Sequence, residues 1–134
     1  MKPVMQTQFL GQVGPGAGNC HAACVASILE LPLEQVPNFL EIVDEDERYQ
    51  QEQEWLASIG FYYVCTTTQE MTDKFLGWHV AIGPNARNGT MHSCVYYGLD
   101  LRHDPNPAGG GLREVEYRWF LIATRMSFPR RGKR

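Results

Sequence analysis

A glycine-rich segment that leads directly into an apolar helix pattern places the tightest constraint on the fold of this chain. Residues 11–18 read Gly-Gln-Val-Gly-Pro-Gly-Ala-Gly, a composition that excludes a helix or a central strand and predicts a flexible loop. It is not a phosphate-binding loop, because Asn19 and Cys20 stand where that motif has lysine and serine or threonine. Residues 20–31 are rich in alanine and apolar side chains, and Asn19 is a suitable N-cap. We predict that a buried helix begins at Cys20 and stops at Pro32.

The remaining chain predicts a helical first half and a strand-rich second half. Residues 33–39 suit a short helical turn, and residues 44–59 have the polar pattern of a surface helix that Gly60 ends. Short β-branched or aromatic runs separated by turn residues follow, at 61–67, 78–82, 92–97, 101–103 and 115–123. We predict one α+β domain over residues 1–128, with N-terminal helices packed on a C-terminal antiparallel sheet, and a disordered basic tail at 129–134.

Composition and charge exclude several classes of protein. A chain of 134 residues with 43% hydrophobic residues is typical of one globular domain, and a net charge of -3 argues against binding to nucleic acid. No stretch approaches the roughly 18 apolar residues of a membrane span, and the first ten residues lack the pattern of a signal peptide. We therefore expect a cytoplasmic protein without membrane attachment. The oligomeric state stays open.

The four cysteines are expected to be free thiols, because no export signal accompanies them. Cys20 and Cys24 lie four residues apart, a spacing unlike that of structural zinc sites, so we expect no metal and no organic cofactor. Cys20 differs from the others in its predicted position at a helix N-terminus, where partial positive charge and free amides favour a thiolate and can stabilise an oxyanion. We expect Cys24, Cys65 and Cys94 to pack in the interior.

His92 and Asp104 are the predicted partners of Cys20. His92 follows a turn-rich segment and begins a strand, a position that suits a base beside a cleft. Asp104 follows the next short strand in a proline-flanked turn. If those strands form a hairpin, the carboxylate can hold the imidazole tautomer. We expect His79 to be a packed or surface histidine, and His103 to face away from Asp104 because adjacent strand residues point to opposite faces.

Several short motifs carry a resemblance to a known family. They are Gly18-Asn19-Cys20, Ala23-Cys24, Ala26-Ser27, Leu31-Pro32-Leu33, Val36-Pro37-Asn38-Phe39, Gly83-Pro84, His92, Val95-Tyr96 and His103-Asp104-Pro105-Asn106-Pro107. This set is similar to a family of small bacterial and phage proteins that resembles the papain-like cysteine peptidases, particularly the branch of bacteriocin-leader peptidases with the order Cys, His, Asp. The resemblance covers roughly residues 6–111.

The resemblance implies a papain-like fold in which Cys20 is the nucleophile, His92 the general base and then acid, and Asp104 the residue that orients it. The resemblance also implies a glutamine a few residues before the cysteine, and the side chain of that glutamine would donate a hydrogen bond to the oxyanion. Here the glutamines lie further back than expected. The oxyanion candidates are Gln8, which we favour, Gln12 and Asn19, and the candidates for the substrate cleft are His21, Gly18, Trp78 and Asn106.

Three functions follow as hypotheses. The first is a cysteine-dependent hydrolase that acts on a peptide, isopeptide or small amide bond of a peptide or protein substrate. The second is a binding or inhibitory protein, possibly encoded by a phage, that uses the same scaffold or its acidic segment at residues 41–54 to hold a partner. The third is a redox domain that uses Cys20 with Cys24, although a disulfide within an intact helix strains its geometry.

Overall fold

The computed structural model of the chain describes residues 1–9, 14–67 and 77–124. Two helices precede five strands. The helices are α1 (Cys20–Leu29) and α2 (Glu45–Ser58), with two 3-10 turns between them at Leu33–Gln35 and Phe39–Glu41. The strands are β1 (Phe61–Thr67), β2 (Trp78–Pro84), β3 (Met91–Tyr97), β4 (Asp100–His103) and β5 (Tyr117–Ala123). The predicted α+β class is confirmed, and the predicted basic tail at 129–134 lies outside the described residues.

The five strands form one antiparallel sheet in the order β1-β5-β2-β3-β4. The last strand therefore lies between the first two and separates them. Strands β3 and β4 are neighbours, with Val95 opposite His103 and Tyr97 opposite Asp100, and the register shifts between Val95 and Tyr96. The predicted hairpin is thus present, and it carries His92 at its start and leads directly into Asp104.

Helix α1 lies against the central strands and is buried over most of its length. Its alanine, cysteine and valine side chains share one core cluster with Leu56 of α2 and with residues from three strands. The cluster comprises Ala22, Cys24, Val25, Ala26, Val36, Leu56, Tyr63, Val80 and Val95. Small side chains let the α1 backbone approach the sheet closely, which fixes the start of this helix relative to β3.

The two helices begin differently. Asp44 caps α2, because its Oδ1 accepts a hydrogen bond of 2.8 Å from the Glu47 amide. Asn19 is the N-cap residue of α1, as predicted, and its carbonyl accepts from the Ala23 amide at 3.0 Å, but its side chain makes no capping bond. Asn19 Oδ1 instead accepts the amides of Thr7 and Gln8, each at 2.9 Å. The N-terminal segment has no sheet partner for these amides, so the Asn19 side chain supplies one.

The histidines other than His92 and His21 have structural contacts. His79 is fully buried, its Nδ1 donates to the Gly77 carbonyl, and its Nε2 accepts from Arg118 at 2.7 Å. Burial lowers the pKa of His79 to about 4, so it remains neutral at physiological pH, as expected of a packed histidine. His103 Nε2 donates to the Val4 carbonyl at 2.8 Å.

All four cysteines lie within the described residues and are free thiols, as predicted. Cys20, Cys24 and Cys94 are buried, whereas Cys65 is exposed, contrary to the expectation that it packs in the interior. It lies on β1, at the edge of the sheet. Among the described helices none combines the length and the hydropathy required to cross a bilayer.

Candidate active site

Cys20 is the first residue of α1, so its sulfur lies at the positive end of the helix. The first amides of a helix have no partner inside it and remain able to bind an anion. The Ser93 backbone amide of β3 also donates to the Cys20 sulfur. The Ser93 amide and the positive end of α1 thus both stabilise a thiolate at Cys20.

His92 links Cys20 to Asp104. The His92 ring hydrogen-bonds to the Cys20 sulfur, and its Nε2 donates to Asp104 Oδ1 at 2.7 Å. With Nε2 held by the carboxylate, Nδ1 is the ring nitrogen left for the thiol. The structure therefore brings together the three residues that the sequence selected, over a separation of 72 residues between Cys20 and His92 and a further 12 to Asp104.

The turn after β4 holds Asp104 in place. The Asn106 amide donates to Oδ1 and the Gly111 amide donates to Oδ2, each at 2.9 Å. Arg87 Nη1 lies 3.5 Å from Oδ2, and the same guanidinium donates to the Gly109 carbonyl. Two backbone amides and one guanidinium, all outside the sheet, thus hold the Asp104 carboxylate ionised and aligned with His92.

The pKa shifts within this group favour an ion pair. Burial raises the pKa of the Cys20 thiol, but the hydrogen bond and charge of His92 and the Ser93 amide outweigh it, so that the pKa ends below its ordinary value. Burial lowers the pKa of His92, whereas its bonds to Cys20 and Asp104 raise it above the ordinary value. Burial likewise raises the pKa of Asp104, and its bonds to His92, Asn106 and Gly111 bring it below the ordinary value. The lowered pKa of Cys20 and the raised pKa of His92 both favour a thiolate beside an imidazolium.

Cys20 and His92 open into a cavity of about 500 Å³. Its walls come from both helices, the second 3-10 turn and three strands. The lining residues are Cys20, His21, Phe39, Leu40, Glu45, Arg48, Glu52, Ile82, Met91, His92, Ser93, Tyr117 and Trp119. A volume of this size accommodates a peptide side chain with part of its backbone, and apolar walls with few polar groups are typical of ligand sites.

A buried hydrogen-bond network forms part of the cavity wall. His21 Nε2 donates to Glu52 Oε2 at 2.9 Å, and the Tyr63 hydroxyl donates to the same oxygen at 2.5 Å. Burial lowers the pKa of His21, but the charge and hydrogen bond of Glu52 raise it above its ordinary value. The Trp119 ring meets the His21 ring edge to face at 5.4 Å between centroids. His21 thus lines the cleft, as proposed from the sequence, and its charge contributes to the lowered pKa of Cys20.

The other three residues proposed for the cleft do not line the cavity. Gly18 is buried, and its carbonyl accepts from the Asn38 side chain at 3.2 Å. Trp78 packs against the core and against the Tyr97 ring, with centroids 5.0 Å apart. Asn106 acts through its backbone amide on Asp104. Gly18 and Asn106 were suggested by their proximity in sequence to Cys20 and Asp104, but proximity along the chain does not place a residue in the cavity wall.

The structure does not direct the side chain of Gln8 or Asn19, two of the predicted oxyanion donors, toward Cys20. The Gln8 side chain is exposed, and Gln12 lies outside the described residues. The Asn19 side chain holds Thr7 and Gln8, with Nδ2 donating to Thr7 Oγ1 at 2.9 Å. Gln6 is the buried glutamine of this segment, and its Nε2 donates to the Gln8 carbonyl at 2.8 Å. The backbone amides at the start of α1 are thus the best-placed oxyanion donors among the described residues.

Sequence reasoning missed Arg48, Glu52, Ser93 and Trp119. Glu52 had a signal, because it lies three residues after Tyr49 and four before Leu56, on the apolar stripe of α2. An acid on such a stripe needs a buried partner. Trp119 had no local signal, since its place beside His21 depends on β5 lying between β1 and β2.

One group of described side chains has the composition and spacing of a candidate metal site. His92, Cys94 and Asp104 offer ligand atoms within 4.8 Å of one another. Both Asp104 oxygens accept backbone amides, and Oδ1 also accepts from His92. Burial raises the pKa of Cys94 well above its ordinary value, so this thiol stays protonated. A neutral thiol beside a hydrogen-bonded histidine and aspartate fits proton transfer better than coordination of an ion.

No protein-family model, no curated protein and no solved structure matches this chain. The papain-like resemblance therefore rests on the motifs and their order, and the functional argument rests on the geometry of the site.

Proposed function

We propose that this chain is a papain-like, cysteine-dependent hydrolase that cleaves a peptide, isopeptide or small amide bond by acyl transfer. One observation carries the proposal: Cys20, at the N-terminus of α1, hydrogen-bonds to His92, and Asp104 holds the other side of the same ring at 2.7 Å. Nucleophile, base and orienting group in this arrangement are the minimum set for nucleophilic acyl transfer.

The reaction proceeds in two steps. The Cys20 thiolate attacks the carbonyl carbon, and amides at the start of α1 stabilise the oxyanion that forms. The His92 imidazolium gives its proton to the leaving nitrogen, the C–N bond breaks, and an amine departs from the thioester. His92 then takes a proton from water, whose oxygen attacks the thioester. The C–S bond breaks, and the acid leaves with the thiolate and imidazolium restored.

The partner-binding hypothesis uses the same scaffold without chemistry, and a thiol test separates the two. The redox hypothesis has less support, because Cys24 is fully buried, and burial raises the pKa of its thiol well above the ordinary value. A thiol that stays protonated is a poor partner for disulfide exchange.

The test is the pH dependence of alkylation by iodoacetamide, followed at each cysteine by mass spectrometry. Cys65 serves as the internal control, because its side chain is exposed to reagent, while partial desolvation of the thiol and the charge of Glu52 raise its pKa to about 11. At pH 7 only about one part in 10⁴ of such a thiol is ionised. We expect Cys20 to react several hundredfold faster than Cys65 at pH 7, and to lose most of that advantage in His92→Ala.

Hydrolysis of a fluorogenic peptide library completes the test. Cys20→Ala should abolish turnover while the protein remains folded. Cys20 reacting no faster than Cys65 at pH 7, or a Cys20→Ala variant with full activity in the host, would contradict the hydrolase and favour the binding protein.

A further inference from the structure

Arg48 brings a positive charge to the cavity that contains Cys20. The residue is half-buried and lines the cavity wall. Its Nη1 donates to the Ile42 carbonyl at 2.8 Å, which fixes the orientation of the guanidinium. Within the part of the chain that the structure describes, no carboxylate oxygen lies within 4.0 Å of this group. An oriented guanidinium without a carboxylate partner in a cavity is suited to receive an anionic ligand.

Glu45 and Glu52 lie on the same face of α2 as Arg48, but neither carboxylate neutralises the Arg48 guanidinium. Glu52 follows Arg48 by one turn, but its Oε2 is already bound by His21 and Tyr63. Glu45 precedes Arg48 by three residues and is exposed, so water screens its charge. The ion pair of His21 with Glu52 is balanced within itself, so among the described residues of the cavity wall Arg48 is the cation without a close counter-ion.

The other residues of the cavity wall determine which substrate groups can bind beside the Arg48 guanidinium. Phe39, Ile82, Met91 and Trp119 supply apolar wall, and Cys20 and His92 supply the reacting groups. We propose that Arg48 binds a carboxylate of the substrate, next to an apolar side chain held against this wall. The proposal rests on the proposed hydrolase function, and it names the substrate class as an acyl group with an apolar side chain and a nearby carboxylate.

A pair of electrophiles tests the proposal without knowledge of the natural substrate. N-iodoacetyl-leucine carries a carboxylate, and N-iodoacetyl-leucinamide is its neutral match. Each forms a C–S bond at Cys20 with loss of iodide. The measured quantity is the ratio of the second-order rate constants, acid over amide, at Cys20. Arg48→Gln should lower this ratio about fivefold or more, because a charge-assisted hydrogen bond to the carboxylate of the acid is lost.

Two further variants sharpen the result. Arg48→Lys keeps the charge without the planar fork and should give an intermediate ratio. Glu45→Gln should leave the ratio nearly unchanged, because water already screens that exposed charge. Added salt should lower the ratio in the unaltered protein. An unchanged ratio in Arg48→Gln, with thermal unfolding like that of the unaltered protein, overturns the carboxylate site while leaving the hydrolase intact. Failure of both reagents to label Cys20 faster than Cys65 overturns the hydrolase, and this proposal with it.

Discussion

Replacement of Glu52 by glutamine tests the buried network beside the candidate nucleophile. Glu52 is 3% exposed and His21 7% exposed, so the pair is removed from water, and Tyr63 donates to the same carboxylate oxygen. Removing one partner of a buried ion pair leaves the other uncompensated, at a cost of about 3 kcal/mol in the free energy of unfolding. Glutamine preserves the shape of the side chain, so the loss reports charge and not volume.

The loss of unfolding free energy in Glu52→Gln should be larger at acidic pH than at alkaline pH. Glu52 raises the folded-state pKa of His21 against the opposing effect of burial, to a net value above the ordinary 6.5. Such a pair stabilises the fold fully below about pH 6.5, and its contribution is lost as pH rises through the folded pKa. In Glu52→Gln the charge that raises this pKa most is gone while burial still lowers it, so protonation of His21 favours folding less than in the unaltered protein. The difference from the unaltered protein should thus be larger at about pH 5.5 than at about pH 8.5.

Urea denaturation followed by tryptophan fluorescence at the two pH values measures both effects, because Trp119 contacts the rings of His21 and Tyr63. The matched control is Glu54→Gln on the same helix. Glu54 is exposed, and from the described residues its side chain accepts one hydrogen bond, from Gln50 at 3.2 Å, so its replacement should change the unfolding free energy by less than about 0.5 kcal/mol. A Glu52→Gln penalty that is equal at both pH values, or greater at the alkaline one, would refute the charge argument.

Two further changes test the geometry around His92. Asp104→Asn should slow alkylation of Cys20 at about pH 6 by tenfold or more, because the carboxylate helps to raise the pKa of His92 and holds its tautomer. An alkylation rate equal to that of the unaltered protein would show that Asp104 does not act through the His92 ring. Gly83→Ala should lower both the unfolding free energy and the alkylation rate, since a Cβ there would lie 2.0 Å from a backbone carbonyl oxygen and Gly83 pairs with His92 across β2 and β3. Unchanged unfolding in that variant would show that the neighbouring segment moves freely.

Local patterns in the sequence were sufficient to predict most elements. The change from a glycine-rich loop to an alanine-rich run predicts the start of α1 at Cys20, because glycine disfavours and alanine favours helical backbone. Alternating apolar runs separated by turns predict the strands, and a short link predicts that β3 and β4 are a hairpin. That hairpin is the reason that His92 and Asp104, 12 residues apart, were identified as neighbours from the sequence.

Contacts between distant segments were beyond local patterns. Nothing near Asn19 indicates that its side chain binds the amides of Thr7 and Gln8 and so does not cap α1. Nothing near Trp119 indicates that β5 lies between β1 and β2 and brings this ring to 5.4 Å from His21. Sheet order depends on burial summed over the whole core, and no short window of sequence contains that sum.

The sequence by itself thus determined the order of helices and strands and the identity of the candidate nucleophile, base and orienting carboxylate, since each depends on residues within one element or one hairpin. Only the tertiary structure decided what surrounds them. The packing of α2 beside β1 places Arg48 and Glu52 in the wall of the cavity that Cys20 and His92 share. The charge of that wall depends on which distant side chains burial brings together, because electrostatic effects act through space and not along the chain.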